Sequence, residues 1–133
     1  MFLNQLSYQE KRMFLDLSIH IAKANDVLDA AEKALISQYC NEMELPPIEL
    51  YETEPLETVI DYFALADLKI RKIVILESLG LAYVDGTYDE KEESLVKKVA
   101  EEIGISLEVF EQLHIAIKDY YCMCSKLAAI IAE

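Results

Sequence analysis

The sequence predicts an all-α protein, a single-domain helical bundle of two similar helix-turn-helix halves with about six helices. Three observations carry that expectation. Breakers are scarce, with three Gly and three Pro in 133 residues, which leaves room for long uninterrupted helices. Apolar residues recur at helical rather than alternating spacing. The chain also repeats itself: a shift of about sixty positions pairs Ser18 with Ser78, Ala22 with Ala82, Asp29 with Asp89, Glu32 with Glu92, Leu35 with Leu95 and Glu42 with Glu102. The repeat covers about 8–47 and 68–107 of a domain spanning 1–133, a length that suits one domain with its own core.

Ser7-Tyr8-Gln9-Glu10 has the form of a capping box, so a first helix starts near Tyr8 and runs to about Ala24, with Met13, Phe14, Leu17 and Ile21 inward. Asp29 and Glu32 open a second helix, with Ala31, Ala34, Leu35, Tyr39 and Met43 as its core face, ended by Pro46-Pro47. Pro55 suits the first position of a third helix whose apolar face is Leu56, Val59, Ile60 and Phe63. Asp67 is placed to cap a fourth, with Ile70, Ile73, Val74, Leu76 and Leu81 inward. Asp89 and Glu92 open a fifth with Leu95, Val96, Val99, Ala100 and Ile103 on one stripe, closed by Gly104. Ser106 caps a long last helix, with Val109, Phe110, Leu113, Ile117, Tyr120, Cys124, Leu127 and Ile131 inward.

The formal net charge of −13 argues against a nucleic-acid backbone as ligand, because phosphate contacts need clustered Lys and Arg. It also disfavours anionic membrane surfaces. No apolar run suggests a signal peptide or direct membrane insertion. Three sparse cysteines, Cys40, Cys122 and Cys124, fit free thiols in a cytoplasmic, soluble protein. Between Lys33 and Lys69 there is no basic residue, and Glu42, Glu44, Glu49, Glu52, Glu54, Glu57, Asp61 and Asp67 all fall there. That stretch is a solvated acidic face or a docking surface for a basic partner or for cations.

Two short turns draw the functional question. One is Ala24-Asn25-Asp26-Val27-Leu28-Asp29-Ala30-Ala31-Glu32, and the other is Val84-Asp85-Gly86-Thr87-Tyr88-Asp89-Glu90-Lys91-Glu92. Helix chemistry accounts for much of both. As N-cap, Asp89 is expected to accept from the N–H of Glu92 and the Glu92 carboxylate to reach back to the N–H of Asp89, with Gly86 suited to the turn. A hard-cation site is the alternative. Asp85, Asp89 and Glu92 supply carboxylate oxygens within a few residues, and Asn25, Asp26, Asp29 and Glu32 add more if the turns converge, the donor set that Ca²⁺ or Mg²⁺ requires. An EF-hand is excluded, since its loop needs Gly at position six and Glu at position twelve, whereas Gly86 is second and Val96 twelfth.

The doubled pattern, seen in full as Ala82-Tyr83-Val84-Asp85-Gly86-Thr87-Tyr88-Asp89-Glu90-Lys91-Glu92 and continuing through Leu95 to Ser106, resembles the TerB-like, tellurite-resistance-associated family. The likeness runs from the first helix into the last. It implies an all-helical fold of two similar halves, acidic clusters associated with metal ions, and a role in the response to tellurite or other stress. It also implies a protein partner that in some members is membrane-associated. The family's acidic positions fall on Asp85, Asp89 and Glu92 and, in the first copy, on Asp29 and Glu32. The first copy departs at Asn25-Asp26, where the family has Asp-Gly; Asn25 keeps a ligand oxygen and loses a charge.

Other constellations carry less. Glu111 and His114 make one Glu-x-x-His, but di-iron bundles need two such motifs and two further glutamates, so His114 reads as a partly buried or surface histidine. Cys122 and Cys124 diverge by about 200° on a helix and cannot share a zinc, and Cys124 is expected in the core with Cys122 peripheral. Tyr120-Tyr121 reads as packing with surface hydroxyls. No phosphate loop, nucleophile triad or nucleotide fingerprint is present. The expectation is therefore a non-enzymatic stress-response module with a divalent cation at its turns and a protein partner. The alternative is a metal-free interaction module using the acidic surface.

Overall fold

A computed structural model describes residues 1–24, 30–45, 54–83 and 90–133. Among the described residues the chain is all-helical, with no strand. After a short 3-10 turn at Leu3–Gln5 come α1 (Tyr8–Ala22), α2 (Ala30–Glu42), α3 (Leu56–Ala64), α4 (Leu68–Ala82), α5 (Glu90–Glu102) and α6 (Leu107–Ala132). Helices α1 and α4 form the centre. α1 packs against α2, α3, α4 and α5, while α4 also packs against α3, α5 and α6. Phe14, Phe63 and Phe110 are fully buried, each contributing about 1.5–3 kcal/mol over an exposed position.

Local chemistry sets the helix ends. Ser7 forms a complete capping box, its hydroxyl accepting from the N–H of Glu10 while the Glu10 carboxylate accepts from the N–H of Ser7. Ser106 caps α6 by accepting from Val109. Three expectations shift here. Pro55 is the N-cap of α3 and not its first residue, and Asp67 holds the N-cap position of α4 without a side-chain hydrogen bond. α1 also stops at Ala22, two residues short of Ala24.

Residues sixty apart occupy like environments. Ser18 and Ser78, Ile19 and Leu79, Ile21 and Leu81, Ala22 and Ala82, Glu32 and Glu92, Ile36 and Val96, Met43 and Ile103, and Leu45 and Ile105 are all buried. The correspondence extends to hydrogen bonds at the ends of α2 and α5. Leu45 N–H donates to Cys40 C=O and Ile105 N–H donates to Ala100 C=O, both at 2.9 Å. Each of these six-to-one bonds spans a residue in the left-handed region, Glu44 at φ 58° and Gly104 at φ 83°. This is a Schellman ending in both halves. It corrects the reading that Pro46-Pro47 stop α2, because the helix closes at Glu42 before either proline.

Two faces differ from the periodicity. In α2, Ala34 is exposed and Leu35 only half-buried, while Ile36 and Cys40 are buried, so the inward face is turned by one residue. In α6, Phe110 and Ile117 are buried and Val109 and Leu113 pack on the core. Tyr120, Cys124, Leu127 and Ile131 are exposed. The reason is length. α6 has 26 residues against 13 to 15 in α1, α2, α4 and α5, about 39 Å against about 20–22 Å, so its second half outruns the surfaces that could cover it. Cys124, expected in the core, is exposed like Cys122, and Cys40 is the buried thiol.

Candidate functional site

The two acidic turns are flanked by α1 and α2 in one half and by α4 and α5 in the other. Of the seven candidate ligands, Asn25, Asp26, Asp29, Asp85 and Asp89 lie outside the described residues. Glu32 and Glu92 are described, and both are buried, 2% and 3% exposed. Each is the third residue of its helix, the N3 position of a capping box whose N-cap would be Asp29 or Asp89. A carboxylate there meets the first-turn N–H groups and the positive end of the helix dipole, which offset part of the cost of burying its charge. Among the described residues no three His, Cys, Asp or Glu side chains group closely enough to hold a metal ion.

His114 of α6 contacts described residues on both sides of 84–89. Tyr83, the residue before 84–89, hydrogen-bonds through its hydroxyl to Nε2 of His114. Glu93, in the first turn of α5, has Oε1 3.9 Å from Nδ1 of the same ring. The imidazole also packs on Phe110 and on Tyr83, with ring centroids 6.0 and 5.6 Å away. The surrounding groove of about 480 Å³ is lined by Glu111, Ile115 and Lys118. Burial, and then the charge of Glu93, raise the Tyr83 phenol above its ordinary value, so it remains protonated at neutral pH and is no phenolate nucleophile. This arrangement positions the turn's flanks. The first half has Lys23 and Lys33 at the positions equivalent to Tyr83 and Glu93, so the same clasp cannot form there.

A second acidic feature gave no sequence signal beyond a glutamate in an apolar helix. Glu77 is 3% exposed. Its Oε1 accepts from the N–H of Phe2 at 2.9 Å and lies 3.1 Å from the Met1 ammonium, which also donates to Glu42 Oε1 at 2.7 Å. Burial alone would lower the ammonium's pKa; the hydrogen bonds and charges of Glu42 and Glu77 outweigh it, and the net displacement is upward. Beside it is a cavity of about 280 Å³ lined in part by Tyr39, Gly80, Tyr120, Tyr121 and Cys124. Tyr39 donates to the Glu77 carbonyl at 2.9 Å and Tyr121 to the Gly80 carbonyl at 3.2 Å. Burial pushes Tyr121 up to about 12 and Tyr39 well above its ordinary value. The Tyr121 hydroxyl thus points inward, contrary to the surface position expected of it.

The described residues of the acidic stretch have different surroundings. Glu42 turns to Met1, and Glu44 supplies the left-handed residue after α2. Glu57 and Asp61 are exposed one helical turn apart on α3. Glu54 is engaged through its backbone, its N–H donating to Asp16 Oδ2 at 3.4 Å and its carbonyl 2.7 Å from His20 Nε2. Glu49 and Glu52 lie outside the described residues. Asp16, 6% exposed, has its carboxyl raised by burial, partly offset by the Glu54 N–H and by Arg12. Among the described residues no helix is long and apolar enough to cross a membrane. Comparison with family models, curated proteins and solved structures found no match for this chain.

Proposed function

We propose that this chain is a non-enzymatic, TerB-like module of a cytoplasmic stress response such as tellurite resistance. Its two acidic turns take a divalent cation of the Ca²⁺ or Mg²⁺ type, and it docks a protein partner. The observation that carries the reading is the matched burial of Glu32 and Glu92 beside the two turns. Buried carboxylates are costly unless hydrogen-bonded, paired or bound to a metal, and both halves keep one at the same position. A hard cation would add charge compensation to what the helix termini already supply.

Thermal unfolding with Ca²⁺, Mg²⁺ and Mn²⁺ tests this. Cation at about a hundredfold over its Kd stabilises by about 2.7 kcal/mol, which for a chain of this length raises Tm by about 10 °C. The rise should vanish in the Asp85→Ala/Asp89→Ala variant. A Tm indifferent to all three metals refutes the cation half of the reading. Loss of stability in the variant without metal decides nothing, because a lost cap alone costs about 0.5–2 kcal/mol.

The exposure of Glu57 and Asp61 favours a second reading, a metal-free interaction module that binds a basic partner through its acidic surface. Such binding weakens as salt rises and survives alanine substitution in both turns.

A further inference from the structure

Beyond Tyr121, which bonds to Gly80, the described residues leave the second half of α6 largely uncovered. From Cys122 to Glu133 every residue is exposed, including Met123 at 54%, Leu127 at 51%, Ile130 at 67% and Ile131 at 83%. Large apolar side chains exposed together on one helix mark a contact surface. Tyr120, Met123, Leu127 and Ile130 follow one another at intervals of three, four and three, the spacing of a two-stranded helical seam.

We infer that this half of α6 pairs antiparallel with the same segment of a second copy. Three features select that occupant. The three-four-three spacing reads the same in both directions, so an antiparallel copy sets Tyr120 against Ile130 and Met123 against Leu127 about a twofold axis. A closed isologous contact needs that self-complementarity. Charge is the second feature. The chain carries −13, yet residues 118–133 hold Lys118 and Lys126 against Asp119 and Glu133 and sum to zero. Two copies can therefore meet here without adding to their repulsion, and the antiparallel arrangement keeps the acidic bodies at opposite ends of the pair. Area is the third. At the exposures of Tyr120, Met123, Leu127, Ile130 and Ile131, these side chains offer about 500–600 Å² per copy, or about 1,100 Å² for the pair, near the lower bound of a specific interface. The contact is a weak, reversible one, and it strengthens with salt because the remaining repulsion between bodies is screened.

Sedimentation equilibrium of the full chain from about 5 to 500 µM tests the inference. The weight-average mass should rise from 15.2 kDa toward twice that value, more steeply at 0.5 M than at 0.05 M salt. Leu127→Asp/Ile130→Asp should weaken association at least tenfold, with helix content and Tm at low concentration unchanged, and Ala at the same positions should act in the same direction. A monomer throughout at high salt overturns the inference. So does a dimer that the Asp pair leaves intact, or a monomer that floats with zwitterionic vesicles. The cation experiment is run at monomer concentrations, so its result is separate.

Discussion

Glycine placed at position 44 and alanine placed at 104 should move stability in opposite directions, although both positions follow a helix in the same way. Glu44 sits at φ 58°, a conformation that costs an L-residue about 1–2 kcal/mol. Glu44→Gly removes that cost and gives back part of it through the greater freedom of glycine in the unfolded chain, leaving a gain of about 0.5–1 kcal/mol. Gly104→Ala imposes the same conformational cost at φ 83°, and its Cβ would stand 3.1 Å from Arg71 Nη1. That guanidinium donates from Nη1 to the Ile103 carbonyl at 3.0 Å and from Nε to the Ala66 carbonyl at 2.9 Å, so it cannot withdraw without stretching a charge-assisted bond. The expected loss is about 1–3 kcal/mol. Urea unfolding at pH 7 measures both, as midpoint shifts of opposite sign with unchanged slope. A neutral Gly104→Ala, or a Glu44→Gly that destabilises, would refute the equivalence of the two helix endings and weaken the repeat on which the functional proposal rests.

Gly80→Ala is expected to stabilise although the site is buried. Its Cβ would meet Tyr121 Oη, Ile117 Cδ1 and Tyr39 Oη at 3.5–3.9 Å, ordinary contact, and alanine is favoured over glycine inside a helix by about 1 kcal/mol; a lower thermal midpoint would contradict the geometry around α4 and α6. Asp16→Asn should show a pH signature. Burial raises the Asp16 carboxyl above its unfolded value, so ionisation costs stability as pH climbs through the folded pKa, and the penalty is absent below the unfolded pKa. The variant should therefore gain on wild type at pH 7 and lose that gain near pH 3, and a gain equal at both pH values would point to packing instead.

Much of the fold was legible because it depends on nearby residues. Ser7 with Glu10, and Ser106 with Val109, cap their helices through bonds spanning three positions. The stripe of α5 lies inward as its spacing requires. The repeat is a pattern of sparse identities, and the paired positions named above are alike in burial. For the candidate site, sequence placed Glu32 and Glu92 at the third positions of α2 and α5, while the turns before them lie outside the described residues. It could not show that Glu32 and Glu92 are buried, because burial depends on the helices brought over them.

What the sequence by itself determined is the class and the capped starts of α1 and α6, since capping, breakers and periodicity act within a few residues. The tertiary structure decided where those helices find cover. It left Tyr120, Cys124, Leu127 and Ile131 in solvent on a stripe that reads like core, because α6 is longer than the bundle. It set the Glu77 carboxylate against the Met1 ammonium and the Phe2 N–H, partners about seventy-five positions away in the chain. It also joined Tyr83 and Glu93 through His114, whose contact with Tyr83 spans thirty-one positions. No local spacing encodes such meetings, because they depend on the packing of helices brought together from distant parts of the chain.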